Sequence, residues 1–241
     1  MSSSLNEILD RLNWARTEIQ ALEREIEFWI DSSIRVFAAS DVRPGFNAIM
    51  MEAKEVLPIG IRARSGTITN EIRSCLDSLA SALAERNGRE QAYFPVAEHE
   101  SAFKADKRLR ERLRKFRDED REALLAHRPF AIGDDKQPGN LLLYGLHHAD
   151  IKRKHHRLVA KAAQPNMTFN EGYIGELFWI GGKVRIPGST KIAEISKSSN
   201  ALLRIEPVLH YAEPNVLRGR PLVKTLHDFA DVVEAVVRSF L

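Results

Sequence analysis

Residues 147–159, with the sequence HHADIKRKHHRLV, bring together four histidines, four basic side chains and one aspartate. On a helix, residues four apart lie on one side, so Asp150 lies beside Lys154, and His155 follows on roughly the same side. An imidazole there can move a proton near neutral pH, while Lys154 stabilises developing negative charge and Asp150 holds Lys154. The alternative interpretation is an exposed Asp–Lys pair among ordinary surface histidines.

A second polar pair, Arg73 and Asp77, interrupts an otherwise apolar helical pattern and again has a spacing of four residues. Charges that border a core stripe seldom stay unpaired, because their desolvation is unfavourable by several kcal/mol. We therefore expect Asp77 to have a partner. That partner is either Arg73 alone, in a purely structural pair, or also Lys154 and His155 on the other helix, which would create one shared polar site.

Arginines recur at spacings of three and four residues through the basic stretch 102–126, which predicts a stripe on one helix face. Between Lys104 and Arg117, eight Lys or Arg residues face only two acids. A positive field of this density attracts phosphates or acidic partners over about 8 to 10 Å. The candidate nucleic-acid-binding residues are Arg110, Arg114, Arg117 and Arg121, and the alternative is a solvated face or a docking patch for an acidic partner.

The elements that position these residues follow from hydrophobic periodicity, which predicts an α+β fold with a helical core. Apolar residues spaced three and four apart along 5–30 predict a long helix that packs on the chain's own helices or forms an antiparallel homodimer. Strands near 33–57, with a turn at Pro44–Gly45, and near 172–211 predict a small antiparallel sheet. Further helices are predicted near 68–86, 102–126, 140–163 and 221–240.

Composition favours one globular domain. The chain has 241 residues, of which 44% are hydrophobic and 29% charged, with a net charge of +3. This is enough apolar material for a single domain over 1–241, with 166–241 as a candidate β-rich C-terminal subdomain. The single cysteine, Cys75, excludes an intrachain disulfide and suits a reducing compartment. It is expected to pack as a small apolar side chain.

The sequence also argues against several classes of protein. It has no signal-peptide core and no stretch of about 18 apolar residues, so we expect a cytoplasmic protein without a membrane span. It lacks HExxH, paired cysteines, an EF-hand loop and glycine-rich phosphate loops, so we expect no dedicated metal and no cofactor. The alternative is a metal coordinated by Asp77 with His147, His155 or Asp150, which requires the two helices to meet.

Four short motifs resemble those of a widespread group of uncharacterised bacterial proteins. The group's LRSALD-like helix, FP, QPF-like step and DKHR-like motif correspond here to IRSCLD at 72–77, FP at 94–95, HRPF at 127–130 and ADIKRKHHRL at 149–158. Cys75 replaces the group's alanine, and the last motif is longer than usual, which leaves open whether Asp150 matches the group's aspartate. The resemblance implies that Arg73, Asp77, Lys154 and His155 belong to one constellation, without assigning its activity.

A weaker resemblance is to the HEPN class of helical RNA-cleaving domains, whose signature is an arginine followed after four to six residues by a histidine. Arg121 with His127, Arg204 with His210 and Arg220 with His227 have this spacing. With 24 arginines and eight histidines in 241 positions, about two such pairs are expected by chance, so these pairs carry little information.

Two functions are consistent with these residues, and whether the protein is an enzyme is left open. One is an RNA-binding protein, or a protein for another phosphate-bearing ligand, with metal-independent ribonuclease activity. In it His155 transfers the proton, Lys154 and Arg73 stabilise the phosphorane, and Asp77 orients one of them. The alternative is a non-enzymatic scaffold or protein-binding module whose Arg/Asp/Lys/His cluster is structural. Exposure separates the two, because a catalytic His155 must face a cleft.

Overall fold

The computed structural model describes residues 2–40, 43–134, 137–154, 160–169, 177–179, 188–198, 203–211 and 214–241. Its helical core consists of α1 (Ser2–Ser33), α2 (Ile59–Glu85), α6 (Leu141–Lys154) and α7 (Leu222–Arg238), with α2 in contact with the other three. Three short helices, α3 (Ala102–Ala105), α4 (Lys107–Leu113) and α5 (Asp118–Ala126), lie between α2 and α6 in the chain. No helix in these ranges is long and apolar enough to cross a membrane.

The apolar seam of α1 packs inside the protein. All of its members are at most 5% exposed, and the helix packs on α2 and α7. This confirms the long amphipathic helix and its packing against the chain's own helices. A homodimer through 5–30 stays a prediction, and it would have to use the outer face of α1. The seam residues are Leu5, Ile8, Leu12, Ala15, Ile19, Leu22, Ile26 and Trp29.

Strands from both halves of the chain form one antiparallel sheet, as the α+β prediction requires. β1 (Ile34–Ser40) and β2 (Phe46–Ala53) form the predicted hairpin, in which Gly45 adopts a φ of +85° that favours glycine. β7 (Gly188–Ser196) pairs with β2, and β6 (Leu177–Trp179) pairs with β7. The segment 166–241 therefore shares its sheet with the N-terminal half. The Gly181–Gly182 turn lies outside the described residues.

Two further strand pairs complete the fold. β5 (Ala160–Phe169) pairs antiparallel with β8 (Leu203–Tyr211). β3 (Ala97–His99) pairs with β4 (Phe130–Ile132) in a parallel arrangement that the periodicity did not predict. After β4 the chain turns back, and the Asn140 side chain accepts a hydrogen bond from the Leu143 N–H at 3.1 Å, capping α6.

Three predicted helices differ in extent from those in the structure. The stretch 102–126 forms three helices, because the Asp106 side chain accepts from two backbone N–H groups and starts a new helix, α4. Arg117 is extended, and the next three residues are acids that favour the N-terminus of α5. The helix predicted at 140–163 is described as Leu141–Lys154, and it does not reach 163 because Ala160 already pairs with β8. In addition, α2 begins at Ile59, ahead of the predicted 68.

Candidate functional site

Arg73 and Asp77 bind each other and the backbone of Phe94. The Arg73 Nη1 donates to Asp77 Oδ1 at 2.7 Å, and its Nη2 donates to the Phe94 carbonyl oxygen at 3.1 Å. The Phe94 N–H donates to the same Asp77 oxygen at 2.9 Å. Because Arg73 is only 5% exposed, these bonds satisfy a buried charge and fix the FP segment on α2. We call these three residues the Phe94 clamp.

The helices α2 and α6 meet one turn away from this clamp. Asp150, 4% exposed, accepts a hydrogen bond from Asn70 Nδ2 at 3.0 Å. Burial, together with the nearby charge of Arg73, lowers the pKa of His147 on α6 to about 4, although Asp150 opposes the shift. The structure therefore brings Asp150 to the neighbourhood of Arg73, but it joins Asp150 to Asn70 and not to Asp77.

The structure does not describe the other half of the predicted catalytic cluster. His155 and the side chain of Lys154 lie outside the described residues, so their place beside Arg73 stays a prediction. His147, by contrast, is described, and the charge of Arg73 acts on it. The predicted catalytic cluster did not include His147, although its position three residues before Asp150 on the same helix face was a signal for it.

We expect His147 to make the folded state sensitive to acid. Its pKa of about 4 lies below the ordinary 6.5, so the unfolded chain binds more protons between these values, and stability falls as pH drops through this window. Between about pH 7 and pH 4.5, the free energy of unfolding of His147→Gln should fall by about 2 kcal/mol less than that of the parent. Urea unfolding at the two pH values measures this difference. His99→Gln is the matched control, because His99 is an exposed histidine of β3. Equal losses in parent and His147→Gln would contradict the assignment.

Three of the four candidate arginines line one cavity of about 450 Å³. Arg110, Arg114 and Arg121 share it with Lys104 and Glu100, and its apolar wall is formed by Phe103, Leu113, Leu125 and Phe130. Within the described residues, Lys104, Arg110 and Arg114 have no ion-pair partner, whereas Arg121 pairs with Asp118 at 3.0 Å. We call this the basic cavity.

Arg117 does not belong to the basic cavity. Its guanidinium donates to the carbonyl oxygen of Arg86 at the end of α2. Lys115 donates to the carbonyl oxygens of Glu90 and Gln91 in the following loop. Lone carbonyls at a helix C-terminus bind cations well. Arg117 therefore anchors the α4–α5 segment onto α2, and the break between these helices is what separates it from the other three arginines.

Two elements hold the walls of the basic cavity in place. Phe103 of α3 and Phe130 of β4 contact edge to face, with ring centroids 6.2 Å apart. The parallel pairing of β3 with β4 fixes Glu100, whose N–H donates to the Ile132 carbonyl oxygen at 2.9 Å. The charge of Lys104 was visible in the sequence. Glu100 and Phe130 carried no such signal, because strands of three residues have no readable period.

The described residues contain no group of three His, Cys, Asp or Glu side chains that could hold a metal ion. Cys75 is fully buried, and burial raises its pKa to about 12, so its thiol stays protonated at neutral pH. This confirms that Cys75 packs as a small apolar side chain.

Three of the four sequence motifs that carried the resemblance lie close together in space, and part of the fourth, at 149–158, lies outside the described residues. IRSCLD supplies the Phe94 clamp for the FP motif, FP leads into β3, and HRPF leads into its partner β4. Comparison of the chain with models of known protein families, with curated proteins and with solved structures finds no match. Membership of the bacterial group and similarity to the HEPN class therefore stay predictions.

Proposed function

We propose that this protein binds single-stranded RNA through the basic cavity. The observation that supports the proposal is the convergence of Lys104, Arg110, Arg114 and Arg121 from three different helices on one apolar-walled recess. Three of these cations, Lys104, Arg110 and Arg114, have no ion-pair partner among the described residues. They repel one another, so a bound anion stabilises them.

The apolar wall favours an anion that also has a flat apolar part. Proteins that bind single strands combine a positive groove for the phosphates with apolar or aromatic surface for the bases. A volume of about 450 Å³ lies in the range of small-ligand sites and suits about one nucleotide. Bases in a duplex are stacked and cannot enter such a recess, whereas bases of a single strand can.

The test removes two unpaired cations from the basic cavity. We expect Arg110→Ala with Arg114→Ala to weaken binding of a fluorescein-labelled decauridylate about 10- to 100-fold in fluorescence anisotropy. The slope of log affinity against log salt should fall by about 1.4, because each phosphate contact contributes about 0.7 for a single strand.

The matched control is Arg24→Ala with Lys54→Ala. It removes the same charge at exposed positions, and Arg24 lines a different cavity, beside Trp29. This control should bind nearly as tightly as the parent. Unchanged affinity and an unchanged salt slope in the Arg110/Arg114 variant would overturn the proposed function.

Whether the bound RNA is cleaved is a separate part of the proposal. The Phe94 clamp occupies both terminal nitrogens of Arg73 and the Oδ1 of Asp77, which favours a structural role for both. Metal-independent cleavage therefore depends on Asp150, Lys154 and His155. Incubation of labelled single-stranded and structured RNA with the parent, Lys154→Ala and His155→Ala tests this part. Cleavage that survives both changes removes the assignment, and salt-sensitive binding without cleavage supports a binding protein.

A further inference from the structure

We infer that Glu100 gives the basic cavity a preference for guanine, an inference that rests on the proposed binding of single-stranded RNA. Glu100 is the one acidic residue among the described residues that line this cavity. A carboxylate weakens the attraction of a cavity for phosphates. The carboxylate among these four cations is therefore better suited to bind a part of the ligand other than its phosphate.

The contacts of Glu100 show that it does not neutralise its cationic neighbours. In the described part of the chain, its carboxylate makes no ion pair with Lys104, Arg110, Arg114 or Arg121. Instead, Glu100 Oε2 accepts a hydrogen bond from the backbone N–H of Asp134 at 2.9 Å. An ionised carboxylate offers about four acceptor positions, so most of them stay available to a ligand.

The backbone holds this carboxylate in a defined position. Glu100 follows β3 directly, and its own N–H donates to the Ile132 carbonyl oxygen of β4 at 2.9 Å. The side chain is held through the Asp134 N–H, which is part of the chain that follows β4. An acceptor held from both ends loses little conformational freedom when it binds a ligand, as a residue that determines specificity requires.

Among the four bases, guanine offers the donors that such an acceptor needs. Its N1–H and N2 amino group lie side by side on the Watson–Crick edge. Adenine and cytosine each place an amino group beside an acceptor nitrogen, and uracil places its N3–H between two carbonyl oxygens. An acceptor that faces a carboxylate oxygen is repelled, and a site that reads polar groups rejects bases that lack them. Guanine is therefore the base that fits Glu100, with its phosphate near Arg110 and Arg114.

The experiment measures base preference at one position of a uniform strand. Four fluorescein-labelled decauridylates carry G, A, C or U at the centre, and their binding to the full chain is followed by anisotropy. For the parent we expect the G-containing strand to bind about tenfold more tightly than the others, a discrimination typical of a good side-chain–base pair. Glu100→Gln should reduce this ratio to about one, because glutamine presents one donor and one acceptor. Its side-chain oxygen can still accept from the Asp134 N–H, which preserves the fold.

Glu98→Gln is the control, because Glu98 is an exposed acid of β3 that does not line the basic cavity. It should keep the guanine preference. If the parent binds all four strands equally, with loss of binding in the Arg110/Arg114 variant, the guanine preference is overturned and the proposed function stands. If the parent prefers guanine but Glu100→Gln does so equally, the role of Glu100 is overturned. If the parent binds none of the strands, the proposed function fails and the inference fails with it.

Discussion

Replacement of Asp77 with alanine is expected to lower the free energy of unfolding by about 3 kcal/mol, because Arg73 loses its carboxylate partner while it stays buried. The Arg73 side chain is 6% exposed, so water cannot replace the lost oxygen. The Phe94 N–H loses its acceptor as well. Urea unfolding followed by circular dichroism measures the loss.

A second ion pair in the same chain provides a matched control. Lys224 and Asp228 on α7 also have a spacing of four residues, and the two aspartates are equally exposed, at 28% for Asp228 and 29% for Asp77. The Lys224 side chain, however, is 71% exposed. Asp228→Ala should therefore change stability by about 0.5 kcal/mol or less. An Asp77→Ala variant as stable as Asp228→Ala would mean that the Phe94 clamp is dispensable for the fold.

The Asp77 result also separates the two interpretations of the Arg73–Asp77 pair. Replacement of a catalytic residue often causes little loss of stability, and some replacements make the protein more stable. A large loss of stability with RNA binding retained in the folded fraction would identify the clamp as structural. The remaining question of cleavage would then concern only the 150–155 segment.

The parts of the fold that the sequence predicted are those with a strong local signal. The seam from Leu5 to Trp29 repeats over more than three heptads, which few other structures produce. Pro44–Gly45 sets a tight turn through its own backbone preferences. Each of these signals acts within a few residues, so no knowledge of the tertiary structure was needed.

The parts that were missed depend on distant residues. The apolar spacing of Leu109, Leu113 and Leu124 continues through a region with two helix breaks, so the spacing does not reveal them. In the sequence, the first break is marked only by Asp106, which caps α4. The pairing of Ala160 with Tyr211 ends any helix before it, because partners in a strand ladder override local propensity.

The candidate site shows the same division. The four-residue spacing identified Arg73 and Asp77 as a pair. Their third partner is the backbone of Phe94, which the sequence could not indicate because every residue type has a backbone. The arginine stripe correctly grouped Arg110 with Arg114, since they are one turn apart. It also included Arg117, which the turn after α4 directs to the end of α2. Arg121 reaches the basic cavity from a different helix, which helical spacing could not show.

Gly139→Ala is expected to destabilise the protein by about 3 kcal/mol, because the new methyl group has no space. A Cβ at this position would lie 1.9 Å from the Phe130 carbonyl oxygen and 2.5 Å from Phe130 Cδ2. The oxygen belongs to the backbone of β4, so it cannot move aside as the end of a flexible side chain would. The chain must shift, and the bond from the Gly139 N–H to the Ala131 carbonyl oxygen, now 3.0 Å, weakens.

The same shift should reduce RNA binding, because Phe130 forms part of the wall of the basic cavity. Under conditions where the variant stays folded, we expect its affinity for decauridylate to fall several-fold, with the salt slope unchanged since no cation is lost. Gly60→Ala is the control, because a Cβ there meets nothing within 4 Å. That variant should keep both stability and binding. Normal stability with weakened binding in Gly139→Ala would show that the loop yields without strain, whereas reduced stability with normal binding would place the RNA site away from Phe130.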